Sequence, residues 1–488
     1  MRKKLFTLSL VSALVVVLLL STVSLATPVT LENAEKIHGD AIVVDTHNDT
    51  MMHVINSRWV DPEDDSDWLP YLCLNQDLTG VTRYGHIDIP KLIEGGIDVP
   101  FFAAFVAERF YPDRVLDRTL ALMNALYWQV DRNQEIMQLA GSYKDIKDIV
   151  NDDKIAAVLT IEGADSIRQP YGLELLRQYH DLGVMCIGLT WNDSNELAEG
   201  LSSTFADGSP SPPGLTEFGE EIVKEMNRLG IVVDVSHNHD NTFWDLIEVS
   251  EAPIIASHSC AYALQPVARN LKDDMIIALA ENGGIIHITF VRGFLGGDMN
   301  VSRIVDHIDH VVNLVGVDYV GLGSDFDGAT MPVDLADASQ YPKITEELVR
   351  RGYSKAEIEK ILGRNTLRVI KEAEKIGRIM RAKAGEIPGG SGQAPTITPF
   401  LEMGEIIHDS TPLLAAMVER DLGSRLDQSS FRIVLDGKPY IPDFDPSTSV
   451  VSLQVADPLS KGFHVVTFEA TNHAGKIDRS TLIFHVQH

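Results

Sequence analysis

The chain has 488 residues, 44% of them hydrophobic, with 41 Lys and Arg against 70 Asp and Glu for a formal charge of −29. So acidic a surface repels other polyanions, which argues against nucleic acid and anionic membrane as partners. Its cysteines are only Cys73, Cys186 and Cys260, so at most one internal disulfide can form, and the lack of a Cys-x-x-Cys pair excludes a thiolate zinc ribbon.

The N-terminus carries Arg2, Lys3 and Lys4, then an apolar run over residues 5–20 broken only by Thr and Ser, then the small-residue step Ser24-Leu25-Ala26. Residues 1–26 therefore read as a cleaved export signal, since the run is short for a transmembrane helix. Its removal takes the formal charge to −32, which suits a protein working outside the cell or at the cell envelope. Residues 31–40 then predict a helix leading into a first strand.

From there a pattern repeats. Apolar β-rich segments occur at 41–49, 97–106, 155–162, 184–191, 231–237, 252–258, 284–291 and 319–325, most of them separated by amphipathic stretches such as 173–182, 215–229, 273–281 and 301–314. Near-continuous hydrophobic strands alternating with helices predict a parallel sheet covered by helices, and eight such units predict an α/β fold, a (β/α)8 TIM-like barrel of residues 27–384. A doubly wound open sheet fits less well, because no Gly-rich phosphate loop follows any of these strands. The long first connection contains the acidic and aromatic stretch 59–74, a candidate lid or dimer element. A short helix at 345–348 and a long one over 354–383, interrupted at Gly363, complete the barrel.

Residues 385–393 contain Pro388-Gly389-Gly390-Ser391-Gly392 and read as a flexible linker. Beyond it, over 394–488, short alternating strands with turn signals at Asp436-Gly437, Lys461-Gly462 and Ala474-Gly475 predict an antiparallel β-sandwich. The segment resembles the immunoglobulin-like modules appended to many exported bacterial enzymes. It shows no catalytic constellation. It is expected to be an accessory module for surface attachment, carbohydrate contact or spacing, dispensable for turnover of small substrates.

The chemistry concentrates at the C-terminal ends of the predicted strands, where barrel active sites lie. His47 and Asp49 are two apart at the end of the first strand and share a face. The third strand ends in Glu162, the fifth in His237, the sixth in His258 and the eighth in Asp325. Polar residues at buried strand ends are costly unless paired or liganded. Three imidazoles and three carboxylates without thiolate favour zinc. Even without Asp325, the five candidates exceed what one catalytic zinc needs, and a bridging Glu162 implies two ions roughly 3.5 to 4 Å apart sharing a hydroxide. His237 is preferred to His239 because it continues the inward alternation of Val233 and Val235. His287 is expected to pack or support, and His38, His86, His307 and His310 are expected to be helix or loop surface groups.

The set Asp45-Thr46-His47-Asn48-Asp49, Ile161-Glu162-Gly163, Asp234-Val235-Ser236-His237, Ala252-Pro253-Ile254-Ile255-Ala256-Ser257-His258-Ser259, Arg269-Asn270 and Gly323-Ser324-Asp325-Phe326-Asp327-Gly328 resembles the membrane (renal) dipeptidase family. The resemblance runs in order from about residue 33 to 383. It implies a dinuclear zinc dipeptidase on an amidohydrolase-like barrel, with His47 and Asp49 on one ion, His237 and His258 on the other, and Glu162 between them. It also implies that Arg269 anchors the substrate carboxylate, that Asp325 handles the proton near the nucleophilic water, and that the protein dimerises. The animal enzymes carry a histidine after Leu-Thr, whereas this chain has Leu189-Thr190-Trp191-Asn192. Help to the substrate carbonyl there must come from zinc, from Trp191 or from Asn192, so strict L,L-dipeptidase activity does not follow, and dipeptides with a D-residue at the carboxyl end or another small acyl amide stay open as substrates.

Two alternatives stand beside this. One is a metal-dependent amidohydrolase acting on another small amide or a lactone; Glu162 in the bridging place, with no lysine at a strand end, counts against its carbamylated-lysine branch. The other is a catalytically inactive surface-binding protein, contacting the cell envelope through the C-terminal module, for which no ligand has been lost.

Overall fold

The computed structural model describes residues 33–55, 78, 85–385, 393–420 and 425–487. The expected export signal, the 59–74 stretch, Cys73 and the Pro388 to Gly392 run lie outside the described residues. Among the described residues, no helix is long and apolar enough to cross a membrane.

The parallel strands are β1 (Val44–Asn48), β2 (Val99–Phe105), β3 (Met137–Ala140), β4 (Ile155–Glu162), β5 (Val184–Gly188), β6 (Val232–Asp234), β7 (Ile255–Ser259), β8 (Ile285–Ile288) and β9 (Val320–Leu322). They pair in the order β1-β2-β4-β5-β6-β7-β8-β9, with β3 attached to β4 outside this path. The strand order never reverses, as it would in a doubly wound sheet. A parallel bridge between Asn48 and Phe326 closes the ring. There Asp49 N–H donates to Phe326 O (2.9 Å), and Asp325 N–H donates to His47 O (3.1 Å). All eight residues of β4 are buried, as expected for a strand with the barrel interior on one face and helices on the other.

Strand β3 was not legible in the sequence, for Met-Gln-Leu-Ala has no β-branched residue. Its register against Ile155 to Val158 makes it a strand. The last helical part is interrupted at Gly363, as expected, but by a change of helix type and not by a stop. Helices Lys355–Glu359 and Asn365–Lys383 are joined by a π-helical turn, Lys360–Arg364. A Cβ on Gly363 would lie 2.2 Å from Ile42 O, so glycine there serves close approach to the residues entering β1 rather than termination.

Two of the histidines expected at the surface are buried. His38 bridges Thr345 Oγ1 (2.7 Å) and Gly95 O (2.8 Å), and His307 lies between Ala261 N–H (3.1 Å) and Leu295 O (3.0 Å). Periodicity marks them as polar but cannot see the partners that make burial affordable. His310 pairs with Asp273, and His86 packs beside Asp327; both stay partly exposed. His287 is fully buried between Ala256 O and Thr366 Oγ1.

The C-terminal part forms two sheets. One is β10 (Thr396–Pro399), β12 (Leu413–Glu419), β16 (Val450–Gln454) and β15 (Asp443–Asp445); the other is β11 (Glu405–Ile407), β18 (Ile477–Val486), β17 (Gly462–Asn472), β13 (Leu426–Leu435) and β14 (Lys438–Tyr440). Pairing is antiparallel except between β11 and β18. Leu414, Val418, Ile433, Phe468 and Phe484 are buried in their shared core. The Asp436-Gly437 signal is the two-residue turn between β13 and β14, with φ of 50° and 78° as a primed hairpin turn requires.

This sandwich packs directly on the barrel. Phe463, Val465 and Ile483 join the barrel's apolar cluster. Buried Gln178, on helix Gly172–Asp181, donates to Val434 O (3.0 Å) and Thr467 Oγ1 (3.1 Å) and accepts from Gly437 N–H (2.7 Å). Asp117, on helix Val115–Arg132, accepts from Phe463 N–H (2.7 Å).

Candidate active site and metal centre

Six residues from five strand ends meet at the C-terminal mouth of the barrel. His47 lies on β1, Asp49 just beyond it, Glu162 is the last residue of β4, and His258 lies on β7. The other two arrive by a different route. β6 stops at Asp234 and β9 at Leu322, so His237 and Asp325 sit three residues beyond their strands, with left-handed φ of 68° and 63°. The alternation argument for His237 therefore does not hold, although the loop delivers the residue to the same place. Left-handed non-glycine residues are costly and gather at functional sites. Gly328 closes the turn after Asp325, and a Cβ there would lie 2.1 Å from Asp49 Oδ2 and 2.2 Å from Asp325 Oδ1. His239 stands apart, beside Glu199 at the start of the next helix.

Glu162 is central to the cluster. Its Oε2 lies 3.2 Å from His47 Nε2, and its Oε1 lies 2.9 Å from His237 Nε2 and 3.6 Å from His258 Nε2. His47 Nε2 is 3.7 Å from Asp49 Oδ2, and the His47 and His258 rings stack at 3.8 Å. The donor atoms of His47, Glu162 and His258, and those of His47, Asp49 and Asp325, fall within 4.8 Å of one another. Yet His47 Nε2 and Asp49 Oδ1 are buried with no hydrogen-bond partner. Leaving such atoms unsatisfied costs about 1–3 kcal/mol each. A cation between them removes that cost, so the residues fit a metal.

The protonation pattern points the same way. Burial pushes His47 down, but Glu162 and Asp49 outweigh it and hold the imidazole well above its ordinary range. Glu162 is pushed up by burial, yet His47 and His237 hold it well below the usual carboxylate range. Burial, then Arg269, lowers His237 to about 4, and burial, His47 and Arg269 carry His258 well down. Burial, with Asp49 and Glu162 close by, pushes Asp325 well up. His237 and His258, neutral and facing an ionised Glu162, are in metal-binding form, whereas His47 holds a proton between Glu162 and Asp49 that an incoming cation would displace.

A cavity of about 610 Å³ opens above the cluster, lined by Asp49, Glu162, His237, Asp325 and Arg269, with Trp191 and Asn192 on its wall. That volume is sufficient for a small peptide. Arg269 is buried at 8% exposure, not the surface cation its polar sequence setting would also allow. It donates to His258 O (3.1 Å) and Ser259 Oγ (3.4 Å), its Nε has no partner, and among the described residues no carboxylate pairs with it. Trp191 packs against Phe105 (5.2 Å) and Phe110 (6.2 Å). Asn192 turns its Oδ1 to His237 Nδ1 at 3.0 Å. Sequence reasoning missed Phe105, Phe294 and the bidentate Arg109–Asp193 pair, which joins the loops after β2 and β5. None of them sits in a motif, and only tertiary packing gathers them.

The family model described as "Membrane dipeptidase (Peptidase family M19)" matches residues 31–384. The chain belongs to the membrane dipeptidase family. As a membrane dipeptidase family member it is a metal-dependent hydrolase of dipeptides, and the sandwich lies outside the family match. Dipeptidase tcpJ of Claviceps purpurea (strain 20.1) is 35% identical over 347 residues, spanning 68% of this chain and 77% of that protein. A metallopeptidase from Rhodobacter sphaeroides, solved with a phosphinate mimic of the dipeptide L-Ala-D-Ala, aligns with a TM-score of 0.59 at 25% identity, over 68% of this chain and all of that one. The probable dipeptidase PvdM of Pseudomonas aeruginosa shares the fold, with a TM-score of 0.60 at 22% identity over 71% of this chain and 98% of that one.

Proposed function

We propose that this membrane dipeptidase family member cleaves dipeptides with two zinc ions, one held by His47 and Asp49, the other by His237 and His258, with Glu162 bridging. The observation that carries the reading is the division of Glu162, one oxygen 3.2 Å from His47 Nε2 and the other 2.9 Å from His237 Nε2. One carboxylate thus serves both halves of the donor set, and imidazole with carboxylate, without thiolate, suits zinc. When bound, the ions polarise the scissile carbonyl and acidify a water at neutral pH.

The chain's own residues bind and move protons. Arg269, buried and paired with no carboxylate among the described residues, grips the substrate's terminal carboxylate in a charge-assisted fork and so fixes the scissile carbonyl over the cluster. Asp325, ionised when cations offset the charge of Asp49 and Glu162 beside it, takes the proton of the attacking water and passes it to the amine as the C–N bond breaks. Trp191 presents an indole N–H, which can donate but not accept, where the animal enzymes have histidine. The basic and then apolar character of residues 1–26 supports export, so the substrate is met outside the cytoplasm.

Metal analysis of the purified full-length protein, with assays on L,L and L,D dipeptides and on a carboxyl-amidated dipeptide, tests this. Two zinc per chain, dipeptide cleavage and poor turnover of the amidated compound are expected. Metal without dipeptide cleavage would move the reading to another small amide or lactone, and a metal-free, inert protein to a surface-binding role.

A further inference from the structure

His237 and His258 can serve a cation at Nε2 only if each ring keeps its proton on Nδ1. For His258 this is decided beneath the cluster. Buried Asp234, which does not line the cavity, accepts the backbone N–H groups of Ser236 (2.9 Å) and Ser257 (2.8 Å) on Oδ1, and its Oδ2 lies 2.5 Å from Ser257 Oγ. A hydroxyl has one proton to give, and facing a carboxylate Ser257 gives it to Asp234. The same Oγ lies 2.8 Å from His258 Nδ1, where it can then only accept. His258 must hold its proton on Nδ1, leaving Nε2 bare. Asn192 Oδ1, 3.0 Å from His237 Nδ1, favours the same tautomer in the second ring once a cation takes the place of the contact between His237 Nε2 and Glu162 Oε1. The two Nε2 atoms then face each other at 3.0 Å.

We propose that Asp234, acting through Ser257, is a positioning residue that sets the tautomer of His258 and so prepares it to bind metal, and that Asn192 does this for His237 rather than chiefly contacting substrate. The inference rests on the zinc reading above. It makes a prediction that a purely structural role for Asp234 does not. In Asp234→Asn the side-chain oxygen can still accept both backbone N–H groups, so the link between β6 and β7 survives. The new amide, however, donates to Ser257 Oγ, whose own proton turns to His258 Nδ1. The imidazole proton then moves to Nε2, the atom the metal needs. Ser257→Ala only removes the constraint and leaves the ring free to adopt either tautomer.

Zinc affinity of the full-length protein, measured by competition with a chromogenic chelator and with folding checked by circular dichroism, reads the difference. Asp234→Asn is expected to weaken zinc binding about 10- to 100-fold with the fold retained, and to do so more than Ser257→Ala. Nitrogen-15 NMR of histidine-labelled, metal-free wild type supplies the second measurement, independent of how the variant folds, and should show His258 protonated on Nδ1. Wild-type zinc affinity in Asp234→Asn, a larger loss in Ser257→Ala, or an Nε2 proton on wild-type His258 would overturn the inference while leaving the dipeptidase reading in place. A wild type that takes up no zinc would overturn that reading first.

Discussion

Trp191 is where this chain departs from the animal enzymes it otherwise resembles, and its surroundings suggest how the change is accommodated. The indole packs on Phe105 and Phe110 and stands 6.0 Å from the His237 ring, so it closes the cavity wall beside the cluster without joining it. Trp191→Phe keeps most of the packing and removes one N–H. It should lower kcat modestly while zinc content and KM stay close to wild type, as steady-state kinetics with metal analysis would reveal. An unchanged kcat would remove Trp191 from the reaction. Asp234 and Ser257 teach a different lesson at this scale. Both lie inside sequence motifs, three and one residues before the histidines they neighbour, yet nothing in their order along the chain tells that a hydroxyl on β7 must point at a carboxylate from β6.

Among the elements, the rod formed by Lys355–Glu359, Lys360–Arg364 and Asn365–Lys383 shows how tightly the barrel grips its last helix. Gly363 packs where any side chain would collide, 2.2 Å from Ile42 O and 2.8 Å from Val44 Cγ2. Because the obstacle is backbone, Gly363→Ala must push the helix or β1 aside, at a cost of about 1 to 3 kcal/mol. A lowered denaturation midpoint is expected, together with weaker metal binding if His47 is the ligand proposed above, since β1 carries it. A wild-type midpoint would show that the contact relaxes freely. The sequence marks this glycine as a helix breaker because glycine weakens a helix interior on average. Close approach to Ile42 and Val44, which has no local signature, is what calls for a glycine in this π-helical turn.

At the scale of the whole molecule, the sandwich has a contact with the barrel that its sequence character did not announce. The expected role as a dispensable module combines two properties that the structure separates. No described residue of the sandwich lines the catalytic cavity, so kcat/KM per folded molecule should survive deletion of residues 386–488. The barrel surface it covers is another matter. Deletion would leave Gln178 without its partners at Val434, Thr467 and Gly437, and strip Phe463, Val465 and Ile483 from the apolar cluster. Unsatisfied polar groups and newly exposed apolar surface both destabilise. The truncated barrel should melt well below the intact chain in a thermal scan; equal stability would return the sandwich to the status of a tethered appendage.

Repetition and composition alone determined the barrel, the all-β tail and the strand ends at which His47, Asp49, Glu162 and His258 stand, because burial on two faces writes near-continuous apolar runs and polar residues at their ends stand out. Only the tertiary structure decided how His237 and Asp325 reach the cluster through left-handed turns, which tautomer is imposed from below, and what covers helices Val115–Arg132 and Gly172–Asp181. Those outcomes depend on single atoms brought together from distant parts of the chain, and a periodic pattern carries the average environment of a residue but not the identity of its neighbour.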